Sequence, residues 1–168
     1  MNRIFLIGFM ASGKSTFGRR LADYLHWDFI DLDDYIERNT KQSIPSLFET
    51  QGEKGFRLLE QKCLHEVSVN SSCVIATGGG TPCYSDNLEY MKSQGTTVFL
   101  DVSEKELFRR LSKDYLSRPK LKNQPDHSVE ALQSGIHHLL AERMSYYSAA
   151  DIVFTPCKED INDLLERL

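Results

Sequence analysis

Five short apolar segments alternate with longer segments of helical periodicity, and this alternation constrains the fold of the chain more than any other feature. The apolar segments, rich in Ile, Val, Phe and Leu, predict strands at residues 3–7, 28–31, 73–76, 97–100 and 151–154. The remaining periodic segments predict helices at residues 14–25, 33–39, 43–68, 85–93, 103–113, 129–149 and 159–168. Strands that are joined through helices pair in parallel, and helices cover both faces of such a sheet. The chain is therefore predicted to be an α/β protein, a three-layer sandwich around a five-stranded parallel sheet.

Composition indicates the size and setting of this fold. A chain of 168 residues that is 40% hydrophobic and 26% charged predicts one domain, residues 1–168, with a core that needs no disulfide or structural metal. The net charge of −4, without a basic run, argues against nucleic acid or an anionic membrane as a partner. The four cysteines form no C-x-x-C pair, and no apolar run reaches transmembrane length. We therefore expect a cytoplasmic protein without an export signal or a membrane anchor.

Residues 8–16, with the sequence GFMASGKST, match the phosphate-loop pattern G-x-x-x-x-G-K-[ST] between the first predicted strand and the first predicted helix. The glycines allow backbone N–H groups to face a phosphate, and the start of the helix adds partial positive charge. Lys14 is expected to reach the β- and γ-phosphates, and Ser15 is expected to ligate Mg²⁺. The predicted nucleotide-binding residues are Ala11, Ser12, Gly13, Lys14, Ser15 and Thr16.

A phosphate loop is shared by kinases, ATPases and GTPases, so other motifs must separate these classes. A GTPase switch requires Asp-x-x-Gly, which occurs nowhere in the chain, and a base-reading Asn-Lys-x-Asp. Residues 123–126, NQPD, imitate the second motif but lack its lysine and lie in a segment interrupted by prolines. The sequence therefore disfavours a GTPase.

Acidic residues follow the second predicted strand, at the sheet edge where ligands bind in parallel α/β folds. Asp31 and Asp33 are expected to share one side of an extended chain, one in the Mg²⁺ shell and the other accepting a proton from an attacking hydroxyl. A helix N-cap is the competing interpretation for such residues, and we assign that role to Asp34.

Three consecutive glycines, Gly78, Gly79 and Gly80, follow the third predicted strand at the same edge. Glycines weaken regular structure, and here they predict backbone N–H groups that approach a ligand closely. A flexible turn is the alternative, which the position beside the phosphate loop disfavours.

Taken in order, these motifs resemble the shikimate kinase family, within the phosphate-loop enzymes that are similar to nucleoside-monophosphate kinases. The resemblance covers nearly the whole chain and includes GFM at 8–10, DLD at 31–33, GEKGFR at 52–57, GGG at 78–80, RP at 118–119, and Arg143 before Tyr147. It implies transfer of the γ-phosphoryl group of ATP to the 3-hydroxyl of shikimate, with Mg²⁺, by a monomer. The family commonly has glycine where this chain has Ala11.

The resemblance also implies roles for individual residues. Asp33 would hold the ring hydroxyls and act as the base, and a helical segment at about residues 33–61 would contribute to acceptor binding. Arg118, in a lid at about residues 114–128, would close over the ATP phosphates, and Arg110 would stack on adenine or remain a solvated helix residue. The acceptor-binding residues implied are Asp33, Arg57, Gly78, Gly79, Gly80 and Arg143.

The residues themselves support an acidic acceptor, because the planar guanidinium group of arginine pairs with carboxylates. Arg143 lies within an apolar stripe of its helix and so requires a partner, either a ligand carboxylate or an internal one. Arg57 has Glu60 three residues later, which would orient it or form an ordinary helix pair. Two alternatives stay open: a related kinase that acts on gluconate or a nucleoside monophosphate, and a binding module without turnover.

Overall fold

The computed structural model describes residues 3–69, 71–117, 129–156 and 158–168, without the side chains of residues 114–117. It confirms the α/β prediction, with five strands that all pair in parallel in the order β2-β3-β1-β4-β5. The strands are β1 (Arg3–Ile7), β2 (Asp28–Asp31), β3 (Cys73–Ala76), β4 (Thr96–Leu100) and β5 (Ile152–Phe154). The helices are α1 (Lys14–Leu25), α2 (Leu32–Thr40), α3 (Ile44–Val67), α4 (Asn87–Gln94), α5 (Glu104–Ser117), α6 (Val129–Ser148) and α7 (Ile161–Leu165), with a short 3₁₀ helix at Thr81–Cys83.

The central strand β1 divides the core into two layers of side chains. Successive side chains of a strand point to opposite faces, so Ile4 and Leu6 pack on one side of the sheet while Phe5 and Ile7 pack on the other. Helices α1 and α7 cover the first face, and α2 to α6 contribute to the second. Because β1 and β3 carry apolar side chains on both faces, the three-layer sandwich follows directly from their sequences.

The strand order brings three loops together. Strand β3 lies between β2 and β1, with Asp31 opposite Ala76 and Leu6 opposite Ala76 in the two registers. The segments that follow these three strands therefore meet at one edge of the sheet. They are the phosphate loop (residues 8–16), the acidic segment (residues 31–34) and the glycine segment (residues 78–80).

Helix α3 is interrupted at Gly52, where the backbone adopts φ 67° and ψ 176°. A positive φ of this kind is readily available to glycine and strained for most other residues. The part of α3 that carries Arg57 and Glu60 therefore follows a kink at Gly52. The prediction of one continuous helix did not include this kink.

Helix α5 is longer than predicted. It continues to Ser117, so the first four positions of the expected lid are helical. Proline disfavours helical geometry in the residue that precedes it. The first proline of this segment is Pro119, so this restriction does not apply to the residues up to Ser117. Residues 118–128, which include Arg118, lie outside the described residues. Among the described helices, none is long and apolar enough to cross a membrane.

Candidate active site

The phosphate loop connects β1 to α1 through backbone geometry that glycine makes possible. Gly8 and Gly13 have φ values of 140° and 95°. Ala11 also has a positive φ, 61°, although its Cβ atom makes this conformation strained. The loop therefore turns its backbone at the carboxyl end of β1 and directs the start of α1 toward the site, as a phosphate-binding loop requires.

The ammonium group of Lys14 lies within this loop. Its Nζ donates to the carbonyl oxygens of Gly8 and Phe9, at 2.8 and 2.9 Å. Burial lowers the pKa of Lys14 to about 8, although the carboxylates of Asp33 and Asp31 act in the opposite direction. The loop thus surrounds one desolvated cation with backbone carbonyl groups.

Asp31 links the phosphate loop to the end of β2. Its Oδ2 accepts a hydrogen bond of 2.5 Å from Ser15 Oγ, and its Oδ1 accepts from the backbone N–H groups of Asp33 and Asp34. Asp31, and not Asp34 as predicted, is therefore the N-cap of α2. The prediction failed because the extended chain ends at Asp31, two residues before Asp33, and α2 begins at Leu32.

The pair formed by Ser15 and Asp31 suits a magnesium ion. Mg²⁺ prefers oxygen ligands and commonly takes one or two from the protein and the others from phosphates and water. Over the described part of the chain, no group of three or more His, Cys, Asp or Glu residues could hold a metal ion. The donor set present thus fits a cation shared with a nucleotide better than one enclosed by the protein.

Asp33 lies in the first turn of α2, so it does not share an extended chain with Asp31 as we predicted. Both residues nevertheless line the same cavity. Burial raises the pKa of Asp33 to about 6, and the carboxylates of Asp31 and Glu60 add to this shift while Lys14 opposes it. A carboxyl group with such a pKa is well suited to accept a proton near neutral pH.

The glycine segment brings two arginines close to its backbone. A Cβ atom placed on Gly80 would lie 2.4 Å from Nη2 of Arg57, and one placed on Gly79 would lie 3.4 Å from Nη1 of Arg143. A side chain at position 80 would therefore displace Arg57. Glycine thus allows the two guanidinium groups to approach this backbone closely, and the predicted approach of its N–H groups to a ligand stays a prediction.

Arg57 is held in place from several sides. Its Nη1 donates to Oε2 of Glu60 at 2.8 Å, and the Glu60 side chain is only 1% exposed. The other oxygen of Glu60 accepts a 2.7 Å hydrogen bond from Thr81 Oγ1. The guanidinium group also lies over the rings of Phe56 and Tyr84, 5.4 Å from each centroid. Glu60 thus orients Arg57 and connects it to the residue that follows the glycine segment.

Arg143 has a different environment. Its guanidinium lies 5.9 Å from the ring centroid of Phe9, and it forms no salt bridge with any carboxylate of the described residues. The internal ion pair that we considered for Arg143 is thus absent from this part of the chain. A half-buried cation of this kind is available to a ligand carboxylate.

Arg110 contacts the phosphate loop from α5. Its Nη1 donates to the carbonyl oxygens of Ala11 and Ser12, at 3.0 and 3.2 Å, while its Nε donates to Glu106. Arg110 is thus only partly solvated, with a side chain that is 36% exposed and hydrogen-bonded to the loop. The predicted role of Arg118 concerns a residue outside the described ranges.

These segments enclose a cavity of about 280 Å³ at the edge of the sheet. It is lined by Met10, Ala11, Gly13, Lys14, Ser15, Thr16, Asp31, Asp33, Thr77, Gly78 and Gly79. Arg57 and Arg143 contact the glycine segment next to it. Sequence reasoning named nine of these eleven residues as site residues and missed Met10 and Thr77. It also missed Thr81, which lies in no motif and contacts the buried Glu60 through its hydroxyl group.

Comparison with known proteins is consistent with this geometry. The family model described as shikimate kinase matches residues 10–167. The shikimate kinase of Phocaeicola vulgatus is 47% identical over 154 residues, which cover 92% of this chain and 86% of that protein. The crystal structure of shikimate kinase from Bacteroides thetaiotaomicron superposes with a TM-score of 0.83 at 40% identity, over 98% of this chain and 92% of that one. Shikimate kinase from Acinetobacter baumannii, in complex with shikimate, gives 0.82 at 34% identity, over 99% and 90%. Since both the family model and these relatives match nearly the whole chain, this protein belongs to the shikimate kinase family.

Proposed function

We propose that this protein transfers the γ-phosphoryl group of ATP to the 3-hydroxyl group of shikimate. The observation that carries the proposal is the arrangement around the glycine segment. Two arginines from different helices lie against it, and a carboxyl group with a raised pKa lines the same cavity as the phosphate loop. A carboxylate-bearing alcohol needs these groups: cations for its carboxylate and a base for its hydroxyl.

On the donor side, residues 11–16 would bind the phosphates through backbone N–H groups, and Lys14 would contact the β- and γ-phosphates. Ser15 and Asp31 would hold Mg²⁺, which would neutralise charge on the phosphates when bound. The hydrogen bond between these two residues supports the assignment because it already brings both oxygen atoms to one point.

On the acceptor side, Arg57 and Arg143 would bind the carboxylate of shikimate together with the backbone of Gly78, Gly79 and Gly80. Asp33 would hold the ring hydroxyls and accept the proton of the attacking one, an activity that its pKa of about 6 favours near neutral pH. The aromatic rings and the Glu60 carboxylate that surround Arg57 would keep its guanidinium group in the orientation that binding requires.

Two further arginines complete the proposal. Arg118, from the lid, would neutralise charge on the phosphoryl group during transfer. Arg110 would stack on adenine, a role that is supported by its contacts with the carbonyl oxygens of the phosphate loop.

The experiment that tests this function is an ADP-release assay with ATP, Mg²⁺ and one acceptor at a time: shikimate, quinate, gluconate, CMP or AMP. We expect turnover with shikimate that exceeds turnover with every other acceptor, and no turnover after Mg²⁺ is removed by chelation. Faster turnover with gluconate or a nucleoside monophosphate would reject the proposal. ATP binding without turnover of any acceptor would favour the binding module.

We also propose that the protein acts as a monomer in the cytoplasm. The thiol groups of Cys63, Cys73 and Cys83 are free, which suits a reducing compartment. Light scattering coupled to gel filtration tests the monomer, for which the mass expected is the 19.3 kDa of the chain.

A further inference from the structure

A buried tyrosine of α6 is hydrogen-bonded to the backbone of the glycine segment. Tyr147, in the last turns of α6, is fully buried, and its hydroxyl group donates a 2.6 Å hydrogen bond to the carbonyl oxygen of Gly79. The ring stacks on Phe99 of β4, with 5.2 Å between the centroids. The position of the hydroxyl group is therefore determined by the packing of α6 on the sheet.

Gly79 is the point where three parts of the site meet. A Cβ atom placed on it would lie 3.2 Å from the backbone nitrogen of Met10 in the phosphate loop and 3.4 Å from Nη1 of Arg143. Arg143 lies one helical turn before Tyr147 on the same face of α6. A single hydrogen bond to Gly79 thus connects the helix that supplies one acceptor-binding arginine to the loop beside the nucleotide.

The hydrogen bond also orients a peptide group. In a planar trans peptide the carbonyl and N–H groups point in opposite directions, so fixing the Gly79 carbonyl fixes the direction of the Gly80 N–H. Within the described ranges, neither Gly79 nor Gly80 donates its N–H group to a protein acceptor. These two donors are therefore available to an anionic ligand beside Arg57 and Arg143.

The hydroxyl group of Tyr147 remains a donor at every pH used in an enzyme assay. Burial raises the pKa of Tyr147 to about 12, with a further contribution from Cys83, while Arg143 opposes the shift. Glycine has no side chain that could itself restrict the peptide, so an external group must do so.

We propose that Tyr147 is a positioning residue for acceptor recognition: its hydroxyl group orients the Gly79–Gly80 peptide and sets the distance between that peptide and Arg143. This inference rests on the function proposed above. Tyr147 is fully buried and acts through the peptide that it orients, so we expect its effect on acceptor binding and not on the chemical step.

The test compares Tyr147→Phe with the unmodified protein and with Tyr146→Phe, a matched control whose side chain is 40% exposed on the same helix. Tyr147→Phe keeps the ring that stacks on Phe99 and removes the hydroxyl group, with its hydrogen bond to Gly79 and its interaction with Arg143. We expect the KM for shikimate to rise roughly 3- to 10-fold, the range that corresponds to one buried hydrogen bond, with kcat and the KM for ATP changed less than about twofold. Calorimetric titration with shikimate and with ADP should show the same difference between the two ligands.

A double substitution sharpens the test. Because Tyr147 is proposed to act together with Arg143, the combined effect of Tyr147→Phe and Arg143→Lys on shikimate binding should be smaller than the product of the single effects. A lower melting temperature with unchanged KM values would make Tyr147 a purely structural residue, and equal losses for shikimate and ATP would also overturn the proposal. If the unmodified protein binds shikimate and ADP but does not phosphorylate shikimate, the proposed function fails, while the shikimate titration of Tyr147→Phe still tests the role of Tyr147.

Discussion

The side of this site that we propose to bind the nucleotide and the side that we propose to bind the acceptor are built in different ways. On the nucleotide side, the ammonium group of Lys14 is surrounded by carbonyl oxygens of its own loop, from Gly8 and Phe9. On the acceptor side, Arg57 and Arg143 come from α3 and α6 and meet at a loop that follows β3. One half is made of backbone within a single contiguous segment, and the other is made of side chains from distant segments.

This difference determines what each half depends on. A backbone-built loop depends on a few unusual φ values, so it is sensitive to the residue types at those positions. A site made from remote side chains depends on packing and on charge compensation, as the contact between Arg57 and the buried Glu60 illustrates. Asp33 lies between the halves, because its pKa responds both to Asp31 on one side and to Glu60 on the other.

The largest effect is expected from Asp33→Asn, which acts on the residue common to both halves. Loss of a general base should lower kcat about 10²- to 10⁴-fold.

The same substitution should also change stability. The folded protein binds the Asp33 proton more tightly than a free carboxyl group does, since burial raises the pKa of Asp33 from 3.8 to about 6. Stability therefore decreases as pH rises through this interval, and removing the charge should increase the free energy of unfolding at pH 7 by about 1 kcal/mol.

Steady-state kinetics and urea unfolding measure the two effects of Asp33→Asn. Asp34→Asn is the control, because its carboxylate pairs with Arg19 and Arg38, outside the cavity. A near-normal kcat in Asp33→Asn would mean that another group takes the proton or that proton removal does not limit the rate.

Arg57→Ala should impair the acceptor half of the site and leave the nucleotide half nearly unchanged. It should weaken shikimate binding by about 1.5–3 kcal/mol, which is roughly 10- to 150-fold, because it removes a charge-assisted contact and leaves Glu60 buried without its cation. ATP binding should remain within about twofold. Titration of each ligand measures this, with Arg38→Ala as the control, since that side chain is 78% exposed. Normal shikimate binding together with lower thermal stability would make Arg57 part of a structural ion pair only.

The pH dependence of activity should report on Asp33 at low pH and on Lys14, in the nucleotide half, at high pH. Below about pH 6, kcat/KM for shikimate should fall about tenfold per pH unit as Asp33 gains a proton. Above about pH 8, kcat/KM for ATP should fall as Lys14 loses its proton, because burial lowers the pKa of that residue. Initial rates from pH 5 to 9.5 test both limbs. Profiles that stay flat over this whole range would show that neither group is perturbed in the free enzyme.

The smallest effect is expected from Ala11→Gly, which tests the backbone-built half alone. Ala11 has φ 61°, a conformation that glycine adopts without strain, so the free energy of unfolding should rise by less than about 1 kcal/mol. The same substitution at Ala22, inside α1, should lower it by about 1 kcal/mol or more. Chemical denaturation measures both, and a decrease for Ala11→Gly would show that the loop is not strained there.

Much of the site could be predicted from the sequence where it is local. The phosphate loop was correctly placed between β1 and α1, since a turn that exposes backbone N–H groups requires glycines at fixed spacing. The glycine segment was likewise expected at the end of β3. The capping of α2 was predicted wrongly, because the choice among three nearby aspartates depends on where β2 stops and on the hydroxyl group of Ser15.

Hydrophobic periodicity and backbone chemistry within short segments were thus enough to predict the succession of strands and helices along the chain, the parallel sheet and the phosphate loop. The packing of the helices on the sheet was needed to show that Thr81 holds Glu60 beside Arg57, that Tyr147 bonds to Gly79, and that Asp33 has a raised pKa. The contacts of Thr81 and Tyr147 join residues that are far apart in the chain, and the pKa of Asp33 depends on how completely water is excluded around it. Both properties arise only when the helices pack on the sheet.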